Sequence, residues 1–168
     1  MKRVNGFTLV ELLTTLFVLI TLLVVGISAM VSWIHQQRST ALQRSLLHSI
    51  HYARAQSIAL QSTVTLCPGR DDCTTTWGER LLIFADVNGN GLLDNTDYVL
   101  KHVEVVKPLG ILNWRSFRRK AYLQFNAHGT TNALNGTFTF CSDSTKHDYS
   151  FRITVGITGR LRIREPDC

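Results

Sequence analysis

The stretch at residues 159–164 combines a glycine with three arginines at alternate positions. In a β-strand Arg160, Arg162 and Arg164 would share one face at intervals of about 7 Å. Like charges on one face repel each other, so packing alone does not explain them. Arginine suits bidentate phosphate contact, and this spacing is comparable to that of successive phosphates on a nucleic-acid strand. Gly159 would let the chain bend or approach a ligand closely.

A second basic cluster occupies a stretch that we predict to be a loop. Its cations are Arg115, Arg118, Arg119 and Lys120, and its aromatic residues are Trp114 and Phe117. Cations interleaved with aromatic rings suit neutralisation of a phosphate backbone together with base stacking. The net charge of +6 also favours an anionic partner. The alternative is a solvated strand face and a solvated loop. No pattern for base readout is present, so nucleic-acid binding would be non-specific and salt-dependent.

An acidic segment matches a calcium-loop template in part. Asp86, Asn88, Asn90, Asp94 and Asp97 occupy ligand positions of the template, with Gly91 at its glycine position. The last ligand is an aspartate instead of the longer bidentate glutamate, and the flanking residues have the pattern of strands. A hairpin turn formed by the Asn-Gly pairs is therefore favoured over weak calcium binding.

The cysteines and histidines do not indicate catalysis. Four cysteines in an exported domain predict two disulfides, with three possible connectivities. We favour Cys67–Cys73, which closes a short loop, and Cys141–Cys168, which ties the C-terminal tail to an earlier strand. A zinc site is disfavoured because no Cys-x-x-Cys pair occurs. No histidine lies in a metal-ligand motif and no nucleophile elbow is present, so we predict neither enzyme activity nor a cofactor.

Strands must position the two basic clusters. Period-two alternation and turn signals begin after Gln61. The predicted strands are Thr63–Leu66, Arg80–Ala85, Tyr98–Val105, Tyr122–Phe125, Thr137–Phe140, Ser150–Val155 and Leu161–Ile163. Many short antiparallel strands behind one long helix indicate an α+β protein.

The helix is predicted from about Phe7 to Leu60. No residue from Leu12 to Ile34 is charged, and this length is enough to cross a bilayer core, which needs about 20 residues. From residue 35 to 60 the pattern becomes amphipathic, with apolar or small residues at helical spacing. These residues are Leu42, Leu46, Ile50, Ala53 and Ser57. The amphipathic half should lay this face on the globular domain.

The N-terminus has an unusual order of signals. Lys2 and Arg3 are followed by Gly6-Phe7-Thr8-Leu9-Val10-Glu11, so the small residue precedes the apolar run, whereas an ordinary signal peptide places it afterwards. This order resembles the class III leader of type IV prepilins. The resemblance implies that a prepilin peptidase cuts between Gly6 and Phe7, that Phe7 is N-methylated, and that Glu11 pairs with the N-terminal amine of a neighbouring subunit. The basic leader would lie in the cytoplasm and the bulk of the chain outside it.

The whole layout resembles the FimT/GspH family of minor pilins and pseudopilins. The further matching pieces are Ala53-Arg54, residues 84–91 with Asp94, and Gly159-Arg160-Leu161-Arg162. The resemblance implies a pilin-like α+β fold with a leader at 1–6, a hydrophobic transmembrane and filament-core helix at 7–34, an amphipathic continuation at 35–60 and a β domain at 61–168. Such a subunit waits in the inner membrane and then joins major and minor pilins in an extracellular pilus.

The resemblance also implies a function. FimT-type minor pilins of naturally competent bacteria bind DNA through a C-terminal Gly-Arg-x-Arg motif, which this sequence has at Gly159–Arg162. We therefore expect a minor type IV pilin that captures extracellular DNA for transformation through Arg160, Arg162 and Arg164, assisted by the 115–120 cluster. The alternative is a structural minor pilin or type II secretion pseudopilin whose arginines contact acidic partner subunits.

Overall fold

The computed structural model describes residues 8–105, 109–143, 149–166 and 168, with the backbone alone over residues 25–29. The predicted leader and the cleavage pair Gly6 and Phe7 lie outside these residues. The described part contains helix α1 (Leu9–Leu60) followed by strands β1 (Val64–Pro68), β2 (Arg80–Ala85), β3 (Tyr98–Glu104), β4 (Gly110–Ser116), β5 (Leu123–Phe125), β6 (Gly136–Ser142), β7 (Phe151–Val155) and β8 (Leu161–Arg164). The chain divides into two compact units, residues 1–36 and 37–168.

The described residues of the first unit form the N-terminal part of α1. Thr8 caps this helix, because its hydroxyl oxygen accepts a hydrogen bond from the Glu11 N–H at 3.3 Å. The large apolar side chains described from Leu9 to Val24 are exposed by half or more. No helix over the described residues combines the length and the apolarity that a membrane span requires. The predicted transmembrane role of residues 7–34 stays a prediction.

The C-terminal half of α1 belongs to the second unit and carries the predicted amphipathic face. Leu42, Leu46, Ile50, Ala53 and Ser57 are at most 1% exposed. Their spacing of three or four residues places them on one side of the helix, where the four apolar residues join the core cluster formed with the strands.

Two antiparallel sheets complete this unit. The strand orders are β3-β2-β1-β5 and β4-β6-β7-β8. The core between them and the helix includes Leu66, Ile83, Phe125, Phe138 and Phe140. The predicted α+β, pilin-like architecture is confirmed.

One strand is missing from the sequence prediction. All seven predicted strands are present with small shifts at their ends. Strand β4 was not predicted, and its C-terminal residues were assigned to a loop. Arg115 was predicted in a loop and lies on this strand. The alternation of β4 is disguised because Ile111 points outward, 62% exposed, and the polar Ser116 is buried.

Candidate functional site

The arginines of the C-terminal motif lie together along the edge of the second sheet. Among the described strands β8 pairs with β7 alone, in a register that sets Arg162 opposite Thr154 and Arg164 opposite Arg152. Arg162 and Arg164 on β8 and Arg160 directly before it are all exposed. Ile163, between the last two arginines, is also 53% exposed. The intervening Leu161 packs against the hydrophobic core and fixes the orientation of the strand.

Gly159 shapes the turn that leads into β8. The Gly159 N–H donates to the Gly156 carbonyl at 2.9 Å, and the Gly156 N–H donates to the Arg160 carbonyl at 2.9 Å. Gly159 has a φ of +72°, and a Cβ added there would lie 2.6 Å from the Gly129 carbonyl oxygen and 2.8 Å from Arg54 Nε. Gly159 is buried, and the close approach that its missing Cβ allows is made to Gly129 and Arg54.

Arg54 holds this turn against the helix. Its Nε donates to the Gly129 carbonyl oxygen at 2.9 Å, and its Nη1 donates to the Gly159 carbonyl oxygen at 3.3 Å. In the sequence analysis Arg54 was named only as part of the Ala53-Arg54 segment that resembles the family, and this role was not predicted. The available signal was its place beside Ala53 and Ser57, which belong to the buried face of the helix.

The second basic cluster is divided between a strand and a turn. Arg115 projects from β4, while Arg118, Arg119 and Lys120 follow the end of that strand. The buried Ser116 fixes the turn, because its hydroxyl accepts the Lys120 N–H at 2.8 Å and lies 3.0 Å from the Lys120 carbonyl oxygen. The four cations are exposed, as predicted, but they do not form one loop.

An open groove of about 590 Å³ lies beside this turn, lined in part by Trp77, Trp114, Arg115, Arg119 and Lys120. Trp114 donates its indole N–H to the Lys120 carbonyl at 3.1 Å. The Trp114 ring stacks on Phe138 with centroids 4.2 Å apart, so the wall of the groove is supported from the core. Phe117, in contrast, is 77% exposed at the tip of the turn.

The acidic segment forms a tightly hydrogen-bonded loop around the buried Asp86. One carboxylate oxygen of Asp86 accepts from the Asn90 N–H, and the other accepts from the Gly91 N–H, the Thr65 hydroxyl and the Gln124 amide at 2.7–2.8 Å. Both carboxylate oxygens of Asp86 therefore accept hydrogen bonds from donors within the fold. Asp86 therefore organises the turn by accepting hydrogen bonds from its backbone N–H groups.

The other two carboxylates of this loop are also engaged by donors. Asp97 accepts hydrogen bonds from the Val87 and Asp94 N–H groups. Asp94 accepts from the hydroxyl and N–H of Thr96 and from the side-chain amides of Asn88 and Asn90, and these bonds lower its pKa to about 2. Within the described residues no cluster of His, Cys, Asp or Glu side chains could hold a metal ion. The loop joins the antiparallel strands β2 and β3.

Both disulfides join the pairs favoured from the sequence. Cys67–Cys73 has a Cα–Cα distance of 5.5 Å and closes the loop after β1. Cys141–Cys168 has a Cα–Cα distance of 5.9 Å and ties the C-terminal residue to β6. The second bridge anchors the chain just beyond β8.

The fold and the sequence together identify the class of protein. A long N-terminal helix whose C-terminal half packs on antiparallel sheets is the architecture of a pilin-like subunit. The family model of the type II transport protein GspH matches residues 30–159 of this chain. The chain therefore belongs to the GspH family. The members of this family are structural pilins and pseudopilins, which assemble with other pilins and are not enzymes.

Solved structures agree with this fold. The type IV minor pilin FimU of Pseudomonas aeruginosa has 20% sequence identity and a TM-score of 0.56, over 76% of this chain and 88% of FimU. The minor pseudopilin EpsH from the Type 2 Secretion System of Vibrio cholerae has 15% identity and a TM-score of 0.53, over 77% of this chain and 98% of EpsH. At such identities the likeness concerns the fold alone. No curated protein matches the sequence.

Proposed function

We propose that this chain is a minor type IV pilin that binds extracellular DNA non-specifically for uptake in natural transformation. The observation that carries the proposal is the group of exposed arginines at the edge of the second sheet, with Arg162 and Arg164 on β8 and Arg160 directly before it. Such a row offers phosphate groups several charge-assisted hydrogen bonds at once.

The site is also held in place before any ligand arrives. Leu161 anchors β8 in the core, and Arg54 fixes the turn at Gly159 from which the arginine row begins. Because these elements are ordered within the fold, binding would cost little backbone conformational entropy, and the remaining cost is that of ordering the exposed arginine side chains. The exposed cations of the 115–120 cluster add positive charge to the same sheet and to the adjoining turn.

A DNA titration tests this function. The full-length chain, kept in a non-ionic detergent, is titrated into fluorescently labelled DNA at two salt concentrations, and anisotropy is measured. We expect binding that weakens steeply with salt and that Arg160→Ala with Arg162→Ala reduces severely. Arg70→Ala is the matched control, since it removes an exposed positive charge outside this sheet. Unchanged affinity in the folded double variant would refute the proposal.

The assembly of the subunit is part of the same proposal. Exposed apolar side chains along residues 9–24 support a helix that the inner membrane, and later other pilins, would cover. We propose prepilin peptidase cleavage between Gly6 and Phe7, methylation of Phe7, and pairing of Glu11 with a neighbouring N-terminal amine. Mass spectrometry of the mature chain tests the first two points: it should begin at Phe7 and carry one methyl group.

A structural role is the second candidate. The fold likeness to the pseudopilin EpsH, which covers 98% of that chain, and the GspH family match favour a subunit of a pilus or secretion pseudopilus without DNA binding. In that case deletion of the gene would abolish pili or secretion. Loss of transformation with pili intact would favour DNA capture.

A further inference from the structure

The register of the second sheet joins residues of the two basic clusters in one continuous row. Arg115 on β4 pairs with Thr137 on β6, Thr137 pairs with Thr154 on β7, and Thr154 pairs with Arg162 on β8. Because directly paired residues project from the same side of a sheet, these four side chains line up across all four strands. The Thr137 and Thr154 hydroxyl oxygens lie 3.4 Å apart, consistent with this alignment.

A second row lies beside the first. Asn113 on β4 pairs with Thr139, Thr139 with Arg152, and Arg152 with Arg164. We call the two rows together the arginine–threonine face. Its eight residues are Asn113, Arg115, Thr137, Thr139, Arg152, Thr154, Arg162 and Arg164, and none is acidic or apolar.

The opposite side of the same sheet is the hydrophobic core. Leu112, Phe138, Phe140, Ile153 and Val155 alternate with the residues of the face and are buried. The face is therefore a regular platform fixed from behind, with its outer positions Asn113, Arg115, Arg162 and Arg164 exposed. The register also sets Arg152 directly opposite Arg164, so two cationic residues lie side by side on this face.

We infer that the arginine–threonine face is the binding platform for a polyanion, on which a nucleic-acid backbone crosses from β8 to β4. This inference rests on the proposed DNA binding. It adds to the binding site Arg152 and the threonines of the two central strands, β6 and β7. Arg162 and Arg115 stand three strand spacings apart, or about 14 Å. That separation suits an extended chain of phosphates better than one compact anion, and the threonine hydroxyls between them can donate hydrogen bonds to phosphate oxygens.

The test compares three arginines of the face with one outside it. Anisotropy titrations of labelled DNA use the full-length chain in detergent, with Arg162→Gln, Arg115→Gln and Arg152→Gln as variants and Arg70→Gln as control. Each face variant should lower affinity about 3- to 10-fold at low salt and reduce the salt slope by about one phosphate contact. Arg115→Lys should restore the slope, because it returns the charge. Thermal melting checks that each variant is folded.

The outcomes separate this inference from the proposed function. If Arg162→Gln weakens binding while Arg115→Gln and Arg152→Gln bind like the unaltered chain, the platform is overturned and DNA binding by β8 stands. If the unaltered chain does not bind DNA even at low salt, the proposed function itself fails. If all three face variants weaken binding and Arg70→Gln does not, the platform is supported.

Discussion

The Arg54 guanidinium, on the helix, donates a hydrogen bond to the carbonyl oxygen of Gly159, 105 residues later in the chain, at 3.3 Å. A second bond from the same guanidinium reaches the Gly129 carbonyl at 2.9 Å. One side chain therefore links the helix to two turns, and the second turn leads directly into the arginine row of β8. The position of Arg160 depends on this link.

Arg54→Met should destabilise the fold. The substitution keeps most of the aliphatic packing but leaves two carbonyl oxygens without their donor, at a cost of about 1–3 kcal/mol. Urea denaturation followed by circular dichroism measures this loss. Arg44→Met, an exposed site on the same helix, should stay within about 0.5 kcal/mol of the unaltered chain. Equal stability of the two variants would contradict the role of Arg54.

Gly159→Ala should cost more than Gly89→Ala, although the two glycines have almost the same backbone conformation. Their φ angles are +72° and +70°, but a Cβ at Gly89 meets nothing within 4 Å, whereas one at Gly159 meets the Gly129 carbonyl at 2.6 Å. Gly89→Ala therefore measures the conformational cost alone, about 1 kcal/mol. Gly159→Ala adds overpacking of about 1–3 kcal/mol. Thermal denaturation of both variants decides this, and a smaller loss at Gly159 would disprove the packing argument.

Asp94 should contribute stability only above its unfolded pKa. Hydrogen bonds from Thr96 hold the pKa of Asp94 at about 2, below its ordinary value of 3.8. Because the folded pKa is lower, the contribution is complete above about pH 4 and is lost as the pH falls towards 2. Carboxyl NMR titration measures the pKa directly, and Asp94→Asn should remove this part of the pH dependence. Asp71→Asn is the control, and a pKa near 3.8 for Asp94 would contradict the prediction.

Local periodicity was sufficient for the helix and for β8. The buried residues of α1 repeat at intervals of three or four, which identifies the buried face of the helix. The alternation of arginines with apolar residues predicted strand β8, although the apolar Ile163 is 53% exposed. The disulfide pairs also followed from short-range and end-of-chain reasoning. The helix and β8 are each encoded within one element, whereas Cys141–Cys168 joins the chain end to β6.

Relationships between elements were not accessible in this way. Strand β4 was not predicted because Ile111 is exposed and Ser116 is buried, which reverses the polarity expected of a strand's two faces. The alignment of Arg115 with Arg162 depends on three strand pairings that no local pattern specifies. The bond from Arg54 to Gly159 is likewise a product of tertiary packing.

Removal of the Cys141–Cys168 disulfide should weaken both stability and DNA binding. This bridge spans 27 residues and holds the chain end just beyond β8, so Cys141→Ala with Cys168→Ala should cost roughly 3–4 kcal/mol and loosen the arginine row. The bridge Cys67–Cys73 spans only 6 residues and lies in the other sheet. Its removal should cost roughly 2 kcal/mol and leave DNA affinity unchanged. Equal effects of the two removals on DNA affinity would show that β8 does not need its anchor.

Phe117 should favour single-stranded over double-stranded DNA. Its ring is 77% exposed at the tip of the turn after β4, next to Arg118, so it is placed to stack on a base whose phosphates the neighbouring cations hold. Phe117→Leu keeps an apolar side chain and removes the aromatic face. It should weaken single-strand binding by about 1–3 kcal/mol, because stacking on an aromatic ring contributes about this much per base. Duplex binding should change little, since paired bases are already stacked, and folding should be unaffected because the ring is exposed.

Ile157→Ala, which truncates another exposed apolar residue in the turn before Arg160, serves as control and should leave the ratio of the two affinities unchanged. Paired titrations with a single strand and its duplex measure this ratio, and an equal loss for both forms would exclude base stacking by Phe117.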